Sequence, residues 1–131
     1  MKKKSILLYS CFLLSMPLMA QQNHASDSKA QNKALRDSLA AATNVLAYHP
    51  DSIDLRLKKA AWNIQLEQWA YAKDDLDKVL FLNNTNIAGL FYHAFVNEKM
   101  KRYNFARLDY QNLLVLVPGN FQAQLGLALL N

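Results

Sequence analysis

Cysteine is almost missing from this chain: Cys11 stands alone among 131 residues, so past that point no disulfide can form and no thiolate can hold zinc. Stability has to come from packing. Glycine is scarce too, at Gly89, Gly119 and Gly126, and no glycine-rich loop exists to cradle a phosphate. His24, His49 and His93 lack the paired spacing of a metal site, and no nucleophile motif occurs. Catalytic residues, metal ligands and a small-molecule cofactor are therefore not expected. No apolar run reaches the roughly 20 residues that a membrane-spanning helix needs.

What is present begins with Lys2, Lys3 and Lys4, followed by an apolar run from Ile6 to Leu14 and by Ala20. That order, basic then apolar then small, is a secretory signal peptide over residues 1–20, cleaved after Ala20. Cys11 sits inside the apolar run, which continues past it, so lipidation is not favoured. The segment carries three of the fifteen basic groups and no acid, leaving twelve bases against ten acids and a net charge of +2. The high pI belongs to the leader, and no nucleic-acid partner is expected.

A shift of 34 residues lays the rest of the chain on itself. Pro50, Asn84 and Pro118 coincide, as do Ala60, Ala94 and Ala128; Trp69 falls on Tyr103, Ala72 on Ala106, Leu76 on Tyr110, and Val79 on Leu113. Within each period the pattern predicts two helices, over 53–67 and 70–82, then over 87–101 and 105–117. Ala72, Leu76, Val79 and Leu80 share one helical face, while Lys73, Asp74, Asp77 and Lys78 take the other. Residues 21–35 read as a polar, partly disordered leader. A half repeat follows at 36–50, then full repeats at 51–84 and 85–118, and an incomplete one at 119–131.

These residues carry a resemblance to the tetratricopeptide repeat family, whose unit is a 34-residue helix-turn-helix. It implies an all-α fold, a right-handed superhelix or α-solenoid of antiparallel helix-turn-helix units. It implies as well a groove lined by the first helix of each unit, here Leu57, Ala61 and Ile64, then Phe91, Phe95 and Glu98, then Leu125 and Leu129. Some members grip carboxylate tails of chaperones through lysine, arginine and asparagine in that groove. Leu57, Ala61, Tyr92, Gln122 and Gly126 occupy the matching places, so that clamp is absent.

The chain departs from the family in several ways. Lys59 and His93 stand where leucine is usual, and no glycine separates the helices of either full repeat, which predicts looser or shifted crossings. Asn63, Asn97 and Asn131 recur at the repeat spacing as an asparagine ladder. Two readings of it are open, a grip on peptide backbone and, favoured, the satisfaction of neighbouring helix ends. Asp74, Asp75 and Asp77 read as a solvated acidic face, since adjacent helical positions splay apart, and Lys99, Lys101 and Arg102 as a solvated turn. Asn83-Asn84-Thr85 matches an N-glycosylation acceptor, while Asp37-Ser38-Leu39 and Asp51-Ser52-Ile53 resemble an O-glycosylation motif of Bacteroidetes exported proteins, with helix-start chemistry the favoured reading of both Asp-Ser pairs.

The sequence thus points to a non-catalytic scaffold with a protein or peptide partner, exported to the periplasm or outer membrane. Its lysine-rich leader and Gln21-Gln22 resemble exported Bacteroidetes proteins. Two alternatives stay open: an N-terminal repeat domain of a longer exported protein with an enzymatic or membrane-assembly part beyond residue 131, and a structural solenoid that self-associates through its apolar C-terminal helix. The helix of 121–131 ends on an apolar face where arrays normally finish polar, so a longer array or a partner is expected to cover it.

Overall fold

The computed structural model describes residues 24–131 in full and gives the backbone alone for residues 2–23. The expected signal peptide of residues 1–20, with Cys11 and the cleavage point after Ala20, lies outside the fully described residues. The chain divides into two units, Met1–Arg36 and Asp37–Asn131. In the first, residues 24–34 are helical with every side chain exposed, where the composition suggests a fraying leader. Backbone bonds there are local, with no core beneath them.

Among the described residues all six elements are helices: α1 (Lys2–Tyr48), α2 (Ile53–Gln65), α3 (Trp69–Leu82), α4 (Ile87–Lys99), α5 (Tyr103–Leu116) and α6 (Phe121–Leu130). In the second unit α2 packs on α3 and α4 on α5, as two antiparallel hairpins, while α3 meets α4 and α5 meets α6. Each hairpin's first helix starts at a short polar cap. Ser52 Oγ accepts from the Leu55 amide, Asn86 Oδ1 from Gly89 at 2.7 Å, and Asn120 Oδ1 from Ala123 at 2.9 Å. Each satisfies an amide that the helix itself leaves free, worth about 1 kcal/mol. Ser52 therefore has a structural duty, as Asp51-Ser52 helix-start chemistry requires.

Small residues let the helices approach. Ala60, Ala72, Leu76 and Val96 form one buried cluster, and Leu90, Ala94, Tyr110, Leu113 and Ala123 a second. Ala60, Ala94, Ala72 and Ala106 have no exposed surface at all, which is why the 34-residue shift keeps alanine at those places. Ala128, which shares that register, is exposed, since no described helix packs over it. The repeats also trade volume. Leu76 belongs to a cluster on which Tyr92 packs, whereas the larger Tyr110 at Leu76's place meets Gly126 at Tyr92's. A Cβ built on Gly126 would stand 2.5 Å from the Tyr110 ring.

The missing glycines between helices do not loosen the crossings. Glu67 and Lys101, 34 residues apart, adopt φ of 56° and 59°, the left-handed conformation that glycine takes freely and other residues take at about 1 kcal/mol. In return Gln68 N bonds Asn63 O at 2.8 Å and Arg102 N bonds Asn97 O at 2.7 Å, closing both helix ends identically.

Two outcomes follow from these close fits. Lys101→Gly is expected to stabilise the chain by roughly 0.5–1 kcal/mol in urea unfolding, through relief of the left-handed residue. Gly126→Ala is expected to cost about 1–3 kcal/mol despite alanine's better helix propensity, because the Tyr110 ring has to move. Gly119→Ala, with nothing within 4 Å of the new atom, serves as the neutral control.

Candidate functional site

Each hairpin buries a carboxylate. Asp75 on α3 is 4 % exposed and Asp109 on α5 7 %, so the acidic run of α3 is not one solvated face: Asp75 turns inward between its exposed neighbours. A buried charge is tolerated only when partners replace its water. For Asp75 those are the Asn63 amide at 3.3 Å, the Lys59 ammonium at 3.2 Å and Arg56 at 3.7 Å. For Asp109 they are the Asn97 amide at 3.1 Å and His93 Nδ1 at 2.7 Å. Lys59 and His93, which depart from the family's leucine, are thus the cations that the inward aspartates require. Asp75 and Asp109 lie 34 residues apart, and that recurrence was the signal available in the sequence.

The asparagine ladder takes a different form from either reading of it. Asn63 and Asn97 are buried and give their side-chain amides to these carboxylates, not to helix ends or to a groove. Asn131 is exposed and accepts from Arg107 Nε at 3.3 Å. Arg107, on α5, also donates to Leu130 O at 3.1 Å, so this end of α6 is tied to α5 through Arg107. Orientation of Asn97 follows from its neighbour, because a flipped amide would aim its oxygen at the Asp109 carboxylate.

His93 reaches further. Its Nε2 lies 2.8 Å from Asp77 Oδ1 on α3 of the preceding hairpin, and Asp77 also takes Lys73 Nζ at 2.6 Å. Carboxylates only accept, so both ring nitrogens must carry hydrogen to satisfy both contacts. Burial alone would lower the His93 pKa, but the hydrogen bond and charge of Asp109, then those of Asp77, outweigh it and raise it. Burial would likewise raise Asp77, yet hydrogen bonds from Lys73 and His93 hold it below the usual carboxylate value. At Asp75, two residues before it on α3, burial wins, and the pKa is raised against the opposing effects of Lys59 and Arg56.

The groove residues divide their surface between core and solvent. Leu57, Ile64 and Phe95 pack against the first buried cluster and Phe91 against the second; all four and Ala61 are half-buried. Leu125 and Leu129 on α6 are 47 % and 78 % exposed. Glu98 accepts from the Tyr110 hydroxyl at 2.5 Å, so burial and this carboxylate together push the phenol's pKa up, and Glu98 is engaged with α5. Trp69 meets Phe95 edge-on at 6.1 Å, with Lys99 Nζ 5.4 Å from the Phe95 centroid. The basic turn is only partly solvated, for Arg102 lies 4.5 Å over the Phe105 ring.

No family model matches the chain, and no curated protein matches it. Solved structures do. The first tetratricopeptide domain of Spaghetti (RPAP3), bound to the HSP90 peptide SRMEEVD, is 20 % identical with a TM-score of 0.71, covering 76 % of this chain and 79 % of that one. The Arabidopsis OM64 tetratricopeptide domain is 20 % identical with a TM-score of 0.70 over 80 % and 87 %. A tetratricopeptide repeat protein from Parabacteroides merdae is 22 % identical with a TM-score of 0.72, over 76 % of this chain and 39 % of that protein. The fold is the all-α tetratricopeptide solenoid.

The His93 contacts generate a pH dependence. A histidine whose pKa the fold raises above 6.5 contributes fully below that value, and the contribution is lost as pH climbs through the folded pKa. Urea-unfolding stability is therefore expected to decline as pH rises above 6.5, while His93→Gln is less stable below 6.5 and lacks this slope. Parallel profiles for the two proteins would contradict it.

Proposed function

We propose that this chain is a non-catalytic scaffold of the tetratricopeptide type that binds an apolar protein segment along the groove of α2, α4 and α6. The observation that carries the reading is the row of half-buried Leu57, Ala61, Ile64, Phe91 and Phe95, continued by exposed Leu125 and Leu129. Half-buried aromatic and aliphatic side chains on rigid helices bury further surface at low entropic cost when a segment docks. Solved neighbours of the same fold include RPAP3 domains with HSP90 and HSP70 peptides, which supports a peptide as the class of partner. Chaperone tails themselves are not the expected ligand, because Leu57, Ala61, Tyr92, Gln122 and Gly126 offer no charged clamp.

The lysine-rich start and apolar run support export to the bacterial envelope. In that compartment the absence of cysteine after residue 20 removes any risk of wrong disulfides. Self-association through Leu125 and Leu129 is the second reading, favoured by their exposure.

Capture of envelope proteins on the immobilised chain tests the proposal. Phe91→Ala with Phe95→Ala is expected to weaken a captured partner about tenfold or more, as loss of two aromatic anchors does. Leu125→Asp on the exposed rim gives the same direction without touching the core. Retention of all partners by both variants would remove the basis for the groove. A partner lost with Leu125→Asp alone, together with a concentration-dependent mass by light scattering, would favour self-association.

A further inference from the structure

The two full hairpins superpose residue by residue: His93 takes the place of Lys59, Asn97 of Asn63, and Asp109 of Asp75. Two positions break the match: Arg56, the second cation on Asp75, is Leu90 in the next copy, and the partner beyond the central cation differs. Asp77, which holds His93 Nε2 at 2.8 Å, corresponds on α1 to Thr43, and Lys73 corresponds to Leu39. Thr43 turns its hydroxyl back to its own helix, donating to Leu39 O at 2.8 Å. Where His93 meets the Asp77 carboxylate, Lys59 faces an open cavity of about 320 Å³ lined by Leu39, Thr43, Lys59, Asn63, Gln68 and Tyr71.

Charge follows the same asymmetry. Around Asp109, Lys73 and a protonated His93 are balanced by Asp77 and Asp109 itself. Around Asp75, two cations, Arg56 and Lys59, face one carboxylate. The first hairpin therefore has a surplus positive charge beside a cavity, at the place where its copy has an anion. Lys59 Nζ has three hydrogens and gives one to Asp75 Oδ1 at 3.2 Å. Its side chain is 22 % exposed, shielded enough for a new ion pair to be worth more than a surface one.

We propose that this cavity between α1, α2 and α3 binds a carboxylate, seated against Lys59 as Asp77 is seated against His93 of the next hairpin, with Lys59 as its cation. The Gln68 amide, which makes no capping bond to its own helix, and the Tyr71 hydroxyl, on a side chain 66 % exposed, supply neutral donors at the rim. Two carboxylates flanking one cation is no obstacle, since Asp77 and Asp109 flank His93 in that way. The cavity admits a short organic acid or the side chain of an aspartate or glutamate from another protein. This site is separate from the groove residues and stands or falls independently of them.

The test is titration of the full chain, isotopically labelled, with succinate and with an end-blocked Gly-Glu-Gly peptide, following the Asn63 and Gln68 side-chain amide signals at constant ionic strength. A saturable shift is expected, and the probe that binds more tightly identifies the source, free acid or acidic side chain. Lys59→Met is expected to weaken binding about tenfold or more, the value of a charge-assisted bond, while Lys58→Met leaves it unchanged. Thr43→Asp supplies the carboxylate from α1, and is expected to raise the melting temperature and abolish binding. The proposal is overturned if neither probe shifts these signals, if sodium chloride or a Gly-Gln-Gly peptide shifts them equally, or if Thr43→Asp binds as before.

Discussion

A carboxylate buried inside a helical hairpin constrains everything around it. Asp75 and Asp109 lie at 4 % and 7 % exposure, and no water replaces what burial removes unless side chains do. A carboxylate without partners in that setting costs several kcal/mol, comparable with the stability of a small domain. The first helix of each hairpin must therefore place an amide and a cation one turn apart, opposite the aspartate. Asn63 with Lys59, and Asn97 with His93, are four residues apart, the spacing that aligns side chains on one helical face. Slippage of either hairpin by one residue would strand the charge, so the polar pair sets the helix register more strictly than alanine contacts alone.

The apolar packing is adjusted to that register. Ala60 and Ala94 allow the helices near enough for 3 Å hydrogen bonds between them, and the left-handed Glu67 and Lys101 reverse the chain in a single turn. Between hairpins the fit is less uniform, with Leu76 and Tyr92 in one copy and Tyr110 and Gly126 in the next. The groove depends on both layers. Phe91 and Phe95 pack on the two buried clusters and keep part of their surface exposed.

Most of this architecture was legible in the sequence, because a 34-residue period with alanine at crossings and short polar residues at helix starts has few other solutions. For α2 to α6 the helix limits agree within about two residues, the usual uncertainty of frayed ends, whereas the leader of 21–35, expected as partly disordered, is helix within α1. The hairpin centres were harder to read. Asp75 sits in the run Asp74, Asp75, Asp77, where composition suggests a solvated face and only the angle about the helix axis reveals which side chain turns inward. The asparagines were visible as a recurrence, but their partners came from the other helix and had to be paired with them through the same shift. The turn was misjudged because the absence of glycine suggests looseness, whereas two non-glycine residues adopt the glycine conformation at a modest cost offset by the helix-end bonds they complete.

The two hairpins, equal in backbone, are unequal in what ties them to their neighbours. Lys73, Asp77, His93 and Asp109 form a continuous chain of charge-assisted contacts of 2.6–2.8 Å from α3 through α4 to α5. In a solenoid, stability is the sum of repeat terms and nearest-neighbour terms, and this chain belongs to the second kind: it joins one hairpin to the next. Its strength depends on the protonation of His93, whose two neighbours raise its pKa, so the joint between hairpins is firmest where imidazole is charged. Thr43 carries no such joint into the α2 hairpin. The boundary between the hairpins is held by one polar chain and by both apolar clusters, Ala60 and Leu76 with Val96 in one and Leu80 against the cluster of Leu90 in the other. The apolar part is indifferent to pH. The polar part contributes direction, since only one relation of α3 to α4 brings Asp77 within reach of an imidazole already committed to Asp109.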